Sequence, residues 1–126
     1  MKIADILPLI EGSLLTKTAS TERDITGCGA ADLMSDVLAS LQPESMLLTG
    51  LCNSQVVRTS LIADVRAIIL VRGKAPTQDT IDLADQENIP VICTKLGMFE
   101  ACGRLFRSGL KCYENPISKS DCNCSQ

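Results

Sequence analysis

Three short runs of apolar residues, none of them interrupted by alternating polar residues, constrain this chain more than any other feature. They are residues 46–48, 67–71 and 89–93, and the stretches between them, residues 53–65 and 77–87, have helical periodicity. A strand made only of apolar residues must be covered on both faces, as in a parallel sheet flanked by helices. The order therefore predicts an α/β fold with two consecutive βαβ crossovers, which we expect to be right-handed.

Apolar residues at helical spacing predict further helices outside this unit. These helices are residues 1–10, 31–41 and 97–108, and Gly109 fits the C-terminal cap of the last one. A strand end with an exposed loop is expected at residues 13–24, and a short strand at residues 25–30. Together the elements predict a central sheet that is mainly parallel or mixed, with helices on both faces.

The chain is expected to form one domain followed by a tail. Its 126 residues are enough to bury about two-thirds of the surface that the unfolded chain exposes, so neither a disulfide nor a metal is needed to hold a core. Residues 1–113 are assigned to this domain. After Tyr113 apolar residues become rare, and the chain ends in Cys122-Asn123-Cys124-Ser125-Gln126. Residues 114–126 are predicted to be a flexible C-terminal tail that contains cysteines.

The composition excludes several classes of function. The chain has no His, which excludes Ser-His-Asp and Cys-His nucleophiles, His-ligated zinc and phosphohistidine relays. A net charge of −3 and 2% aromatic residues argue against nucleic-acid binding, which needs a basic face and stacking rings. No stretch approaches the roughly 18 apolar residues of a membrane span, and residues 1–10 do not have the pattern of a signal peptide. We therefore expect a cytoplasmic protein that does not contact membranes.

Four segments of the chain resemble a known family. Residues 31–38 read Ala-Asp-Leu-Met-Ser-Asp-Val-Leu and are the most specific, and residues 67–73, 89–92 and 99–105 follow in the same order. Over about residues 25–110 the chain resembles the DRTGG domain family. The helix and loop before that stretch are similar to the N-terminal domain of phosphocarrier-protein kinase/phosphorylase. The Asp-Arg-Thr-Gly-Gly run that names the family is absent, and only Arg58-Thr59 and Arg72-Gly73 echo parts of it.

The resemblance implies a small α/β domain that has no catalytic activity, senses a ligand or regulates a partner, and associates as a homodimer. Such domains accompany CBS domains, phosphate acetyltransferases or pyrophosphatases. Stand-alone members that resemble this chain are encoded beside iron-only hydrogenase and histidine-kinase components. We therefore expect a regulatory or protein-interaction domain and not an enzyme, with a hydrogenase or a histidine kinase as its partner. An assembly adaptor that binds no small molecule is an alternative.

The loops after the predicted strands are the first candidate site, because ligands of parallel sheets collect outside the carboxyl ends of the strands. These loops carry hydroxyl groups, glycine turns and three cations in an acidic protein, which suits a small anion or a nucleotide phosphate. The alternative is ordinary solvated loops, and the lack of a Gly-rich phosphate-loop motif favours it. The candidate ligand-binding residues are Thr49, Gly50, Asn53, Ser54, Arg72, Gly73, Lys74, Thr94 and Lys95.

Asp32 is a further candidate because it belongs to the most family-specific segment. It stands near the start of its predicted helix and shares a face with Asp36. Its carboxylate either takes part in ligand binding or caps backbone N–H groups of the first helical turn. The sequence leaves both roles open.

The chain has seven cysteines, which in a cytoplasmic protein are expected to be free thiols. Cys28 lies between two glycines before a predicted helix. Its thiol is either acidified by the helix dipole or is the half-buried side chain of a tight turn, and the second is favoured because no cation or base is predicted nearby. Cys52, Cys93 and Cys102 are expected in or near the core.

Cys112, Cys122 and Cys124 are candidate metal ligands. Three thiolates suit zinc or an iron–sulfur cluster, with Cys28 or Cys102 completing the set. Their spacing matches no recognised motif, so tail cysteines without a metal are the favoured alternative. These residues support a second functional hypothesis, a thiol-based redox or metal-binding protein, but the sequence identifies no cofactor.

Overall fold

The computed structural model describes residues 1–116 of the chain, in which helices and strands alternate. The helices are α1 (Ile3–Leu9), α2 (Met34–Ser40), α3 (Ser54–Ala63), α4 (Gln78–Gln86) and α5 (Met98–Arg107). The strands are β1 (Ser13–Leu14), β2 (Gly27–Ala30), β3 (Met46–Thr49), β4 (Ala67–Leu70), β5 (Val91–Cys93) and β6 (Lys111–Cys112). No helix within these residues is long and apolar enough to span a membrane.

The strands of the described residues form one mixed sheet in the order β1-β5-β4-β3-β2-β6. The neighbours from β5 to β6 all pair in parallel, whereas β1 pairs antiparallel with β5. In the central register, Met46 of β3 aligns with Ala67 of β4 on one side and with Cys28 of β2 on the other. The predicted α/β fold, with its two consecutive βαβ crossovers, is confirmed.

The centre of the sheet is covered on both faces. Every residue of β3 and β4 is buried. On one face, Ile6 of α1 and Leu105 of α5 share an apolar cluster with Ile69 of β4. On the other face, α2, α3 and α4 form a second cluster, in which Val57 of α3 packs with Ile68 of β4. Successive strand residues point to opposite faces, so an uninterrupted apolar run supplies both clusters at once.

Local signals mark where the crossover helices begin and end. The Asn53 carboxamide oxygen accepts a hydrogen bond from Gln55 N at 3.0 Å at the start of α3. α3 ends at Asp64, which has a left-handed φ of 56°. After α5, Gly109 has a φ of 108°, a conformation that glycine adopts without strain. These residues confirm the predicted helix limits to within a few positions.

α2 differs from the predicted helix. It begins at Met34, three residues later than the expected start at residue 31. Met34 and Val37 are buried as expected, but Leu38 is 50% exposed. Each residue is rotated by about 100° around the helix axis relative to the one before it. Leu38 directly follows the buried Val37 and therefore points away from the buried side of this two-turn helix, toward solvent.

The C-terminal part of the domain extends further than the sequence pattern indicates. β6, which was not among the predicted strands, pairs with β2. Beyond it, Glu114 accepts a hydrogen bond from Ala30 N, and Asn115 N donates to Ser40 O at 2.7 Å. The tail was expected from residue 114, yet contacts with the domain continue to Asn115. The sequence gives little signal for β6 because it is only two exposed residues long and is held by backbone hydrogen bonds.

Asp85 of α4 forms hydrogen bonds with the polar loop between β1 and β2. In the sequence it is one of several carboxylates of this helix, a pattern that indicates only a solvated face. Its Oδ1 accepts hydrogen bonds from Lys17 N at 2.8 Å and from Thr18 N at 3.0 Å. The bond from Thr18 N is the main reason that the pKa of Asp85 lies below its ordinary value. The stabilisation from this carboxylate is therefore present at neutral pH and is lost as the pH falls through the lowered pKa.

A buried isoleucine and an exposed isoleucine together test the packing of the core. Ile69 is 0% exposed and Ile62 is 76% exposed. Ile69→Ala leaves a cavity in the central strand, so we expect a loss of about 2–5 kcal/mol in the free energy of unfolding. Ile62→Ala is the matched control and should change it by less than about 0.5 kcal/mol. Urea denaturation measures both, and equal losses would contradict the predicted packing of β4.

Candidate functional site

The loops after β3, β4 and β5 meet at one edge of the sheet, as the sequence predicted, and the loop after β2 lies at the same edge. They carry Gly50, Arg72, Lys95 and Asp32 respectively. The parallel register is the reason, because parallel strands all end on the same side of a sheet. The edge contains two separate groups of candidate residues.

The first group joins three loops through Asp32. Gly50 N donates a hydrogen bond to Asp32 Oδ1 at 2.7 Å, and Asp32 Oδ2 lies 3.6 Å from Arg72 Nη2. A Cβ at Gly50 would collide with Arg72 Nη2, so the guanidinium lies directly against the Gly50 backbone. The carboxylate of Asp32 bridges the loops, while α2 is preceded by Leu33 as N-cap without a side-chain cap. The proposed capping role of Asp32 is therefore wrong.

The second group surrounds a cavity of about 510 Å³ between the loops after β4 and β5. Gly73, Lys74 and Lys95 line it together with apolar side chains that include Leu15 and Ile81. Both lysines are exposed, and neither forms an ion pair with another residue in the described part of the chain. The cavity therefore combines an apolar wall with two lysines that have no ion-pair partner and with one carboxylate, Glu11, which pairs with Arg104 at 3.0 Å.

Backbone hydrogen bonds hold the shape of this second group. Arg72 N donates to Leu96 O at 2.8 Å, and Gly73 N donates to Thr94 O at 2.9 Å. Arg72 and Gly73 both have left-handed backbone conformations, with φ of 60° and 67°. Glycine adopts this conformation without strain, whereas for arginine it is uncommon. The loop after β4 is thus fixed against the loop after β5 before any ligand binds.

The hydroxyl and amide candidates shape the loops, and of these four residues Thr94 alone belongs to the lining of the cavity. Thr49 is buried, and its Oγ1 accepts a hydrogen bond from Leu51 N at 3.1 Å. Thr94 is buried as well and donates to Ile10 O at 2.6 Å. Asn53 caps α3, and Ser54 is the half-buried first residue of that helix. The hydrogen-bonding groups of these side chains either have partners within the fold or lie away from the lysines. Tertiary contacts determine this, and the spacing of the residues along the sequence does not reveal it.

The structure answers the question about Cys28. This residue lies in the middle of β2 and not at a helix entrance, and it is half-buried. Burial, and next the neighbouring thiols of Cys102 and Cys112, raise its pKa from 9.0 to about 12. The hypothesis of an acidified thiol is therefore wrong, and the alternative is correct about the half-buried side chain but wrong about the tight turn, since Cys28 lies in a strand. Cys52 and Cys102 pack against the two core clusters, as expected.

Of the candidate metal ligands, Cys112 is exposed in β6, and Cys122 and Cys124 lie outside the described residues. Among residues 1–116, no group of three or more Cys, Asp or Glu side chains is arranged to hold a metal ion. Cys28 and Cys112 are register partners on neighbouring strands, which was not predicted. No sequence signal reveals this pairing, because β6 itself is not predicted.

A family model decides what kind of domain this is. The model of the DRTGG domain matches residues 5–108. The chain belongs to the DRTGG domain family. This result confirms the resemblance seen in the sequence and places both groups of candidate residues within the matched part of the chain. No match was found among curated proteins.

A solved structure supports the architecture of this DRTGG domain. The chain is similar to the CBS and DRTGG domains of the regulatory region of Clostridium perfringens pyrophosphatase, complexed with the activator diadenosine tetraphosphate. The TM-score is 0.70 and the sequence identity is 17%, a level at which the similarity shows the fold alone. The similarity covers 94% of this chain and 51% of that chain, so the present chain spans about half the length of that regulatory region.

Thiol reactivity tests the arrangement of β2 and β6. In the folded protein at about pH 8, we expect iodoacetamide to alkylate Cys112 faster than Cys28. With a pKa of about 12, only about 10⁻⁴ of the Cys28 thiol is thiolate at that pH, and the side chain is half-buried. Peptide-resolved mass spectrometry measures both rates. In urea the two rates should converge, and a fast Cys28 in the folded state would contradict its burial.

Proposed function

We propose that this DRTGG domain is a non-catalytic regulatory module that binds a small phosphate-bearing anion, with a nucleotide as the favoured class. The binding site is the cavity flanked by Lys74 and Lys95 at the carboxyl edge of the sheet. Thr94 has a supporting role in the loop that presents Lys95, and Thr49, Asn53 and Ser54 shape the neighbouring loop after β3.

The observation that carries this proposal is the pair of lysines without ion-pair partners among residues 1–116. The protein has a net charge of −3, yet two lysines line one cavity of about 510 Å³, and the carboxylate in its lining, Glu11, pairs with Arg104 and not with either lysine. Cavities of about 300–1,000 Å³ with apolar walls and few polar groups are typical of small-molecule sites. Two positive charges near such a wall favour an anion that also has an apolar part, such as a nucleotide.

The similar regulatory region supports the class of ligand. That protein was solved with diadenosine tetraphosphate, which its description calls an activator. This ligand combines a phosphate chain with aromatic bases whose flat faces pack on apolar side chains, and the cavity offers lysines beside Leu15 and Ile81. Transfer to this chain is part of the proposal, since the two sequences are only 17% identical.

The Asp32 group would couple the cavity to the rest of the domain. Arg72 precedes Gly73 in the chain and contacts Asp32 in the loop that leads from β2 to α2. A phosphate beside Lys74 would attract Arg72 and weaken its contact with Asp32, because the two anions compete for one guanidinium. Ligand binding would then alter the contacts of the loop between β2 and α2.

The regulatory module is further proposed to act as a homodimer in the cytoplasm, with a hydrogenase or a histidine kinase as the protein that responds to the ligand. These assignments are supported by the family resemblance. The competing proposal of a redox or metal-binding protein would depend on Cys122 and Cys124 with Cys112, of which the described residues include only Cys112.

Thermal shift experiments test the ligand site. The probes are inorganic phosphate, pyrophosphate, AMP, ATP and diadenosine tetraphosphate. A ligand present at 100 times its Kd stabilises the fold by about 2.7 kcal/mol, which raises Tm by several degrees. We expect at least one nucleotide to do so with the wild-type protein, and the Lys74→Ala/Lys95→Ala variant to lose most of the shift.

Arg58→Ala is the matched control, since Arg58 is an exposed cation on α3 away from the cavity. It should retain the full shift. Without ligand, the double lysine variant should melt close to the wild type, because neither lysine forms an ion pair among the described residues. If no probe shifts Tm, the proposal fails, and the adaptor that binds no small molecule becomes the better description.

A further inference from the structure

The outer side of α5 carries an unusual apolar stripe. Phe99 is 92% exposed and Phe106 is 68% exposed, and these are the two phenylalanines of the chain. Gly103 lies between them, so the three residues follow the i, i+4, i+7 spacing of one helical face. We call Phe99, Gly103, Phe106 and Arg107 the α5 surface.

The domain does not need these aromatic side chains for its own core. The opposite side of α5 supplies Ala101 and Leu105, which are buried against the sheet. Each exposed phenylalanine forgoes about 1.5–3 kcal/mol that full burial would give. Contiguous exposed apolar groups of this kind mark an interaction surface more often than a simple solvent boundary.

A hollow lies directly beside the stripe. A cavity of about 310 Å³ opens between α5 and strands β2, β3 and β6, and Phe99, Gly103 and Phe106 form its outer wall. Its remaining lining is mainly apolar and includes Ala30 and Leu48. The same face therefore carries both projecting rings and a recess that can receive them, so it can be complementary to itself.

The charged residues of α5 would also pair with those of a second, antiparallel copy of the helix. Glu100 lies in the first turn and Arg107 in the last turn of the helix. Arg104 is occupied within its own chain, since it contacts Glu100 at 2.6 Å and Glu11 at 3.0 Å. Arg107 is exposed and forms no ion pair with any residue from 1 to 116. When two α5 helices lie antiparallel, each Arg107 comes to the end of the other helix that carries Glu100.

Gly103 allows such a close approach. A Cβ added at this position would meet nothing within 4 Å, so the fold of the single chain does not require a glycine there. Without a side chain at the middle of the stripe, the backbones of two helices can approach closely. A two-fold axis near Gly103 then places Phe99 of each copy beside Phe106 of the other copy.

We infer that the partner of the α5 surface is a second copy of this chain, docked with its α5 antiparallel about a two-fold axis near Gly103. The contact is isologous, because the same rings, recess and charges are used on both sides. This inference rests on the homodimer in the proposed function and names the face that forms it. It is independent of the ligand cavity, which lies at the carboxyl edge of the sheet.

The mass of the full chain in solution tests the inference. Size-exclusion chromatography with light scattering should give twice the chain mass of 13.5 kDa for the wild type. Phe106→Glu places a charge in the apolar contact and should raise the dimer Kd by at least about 100-fold, or about 2.7 kcal/mol. Ile62→Glu is the control, since Ile62 is 76% exposed on α3, and it should remain dimeric.

A charge exchange tests the orientation and guards against a variant that fails to fold. Arg107→Glu should weaken the dimer, because each copy then presents two acidic groups at the contact. Adding Glu100→Arg to the same chain should restore it, since opposite charges meet again across the two-fold axis. A change in folding alone would not be reversed in this way, and circular dichroism melting checks each variant.

The outcomes separate the inference from the proposed function. A dimer that survives Phe106→Glu and Arg107→Glu overturns the α5 surface but keeps the homodimer. A wild-type monomer overturns both. Monomeric α5 variants should keep the thermal shift produced by nucleotide in the wild type, because Lys74 and Lys95 are untouched.

Discussion

Burial of β3 and β4 on both faces is the constraint on which the rest of this structure depends. Two adjacent strands that are buried on both faces require a helical layer on each side, and the crossover helices α3 and α4 can cover only one of them. The other layer comes from α1 and α5, at the two ends of the domain. The parallel arrangement also brings the loops after four strands to one edge, where the cations of the proposed site gather.

The return of the chain from β5 to β6 is the second decisive feature. After three steps that add β3, β4 and β5 in one direction, the chain passes along α5 and joins the other side of β2. This passage buries one side of α5 and leaves the phenylalanine stripe outside. It also makes Cys112 the neighbour of Cys28 and brings Glu114 to Ala30 N. One reversal of direction thus creates both the apolar recess and the surface beside it.

The two proposed surfaces lie close together along the chain. Lys95 stands two residues before Gly97, the N-cap of α5, and the loop between them is tied to Arg72 and Gly73 by backbone hydrogen bonds. A ligand at the lysines would therefore act on a loop that leads directly into the proposed dimer helix.

The sequence by itself determined the elements, because a residue's neighbours along the chain decide helical period, continuous apolar runs and caps. The apolar run at residues 67–71 and the cap at Gly109 both predicted the correct local structure in this way. Only the tertiary structure decided the site, since Asp32 meets Gly50 eighteen residues away and Arg72 still further on, through strand register and strand order. It likewise decided that Thr94 would be buried while Lys95 faced a cavity. A side chain's partner depends on how the layers pack in three dimensions, and two-residue pairings such as β6 carry too little hydrophobic pattern to reveal that packing beforehand.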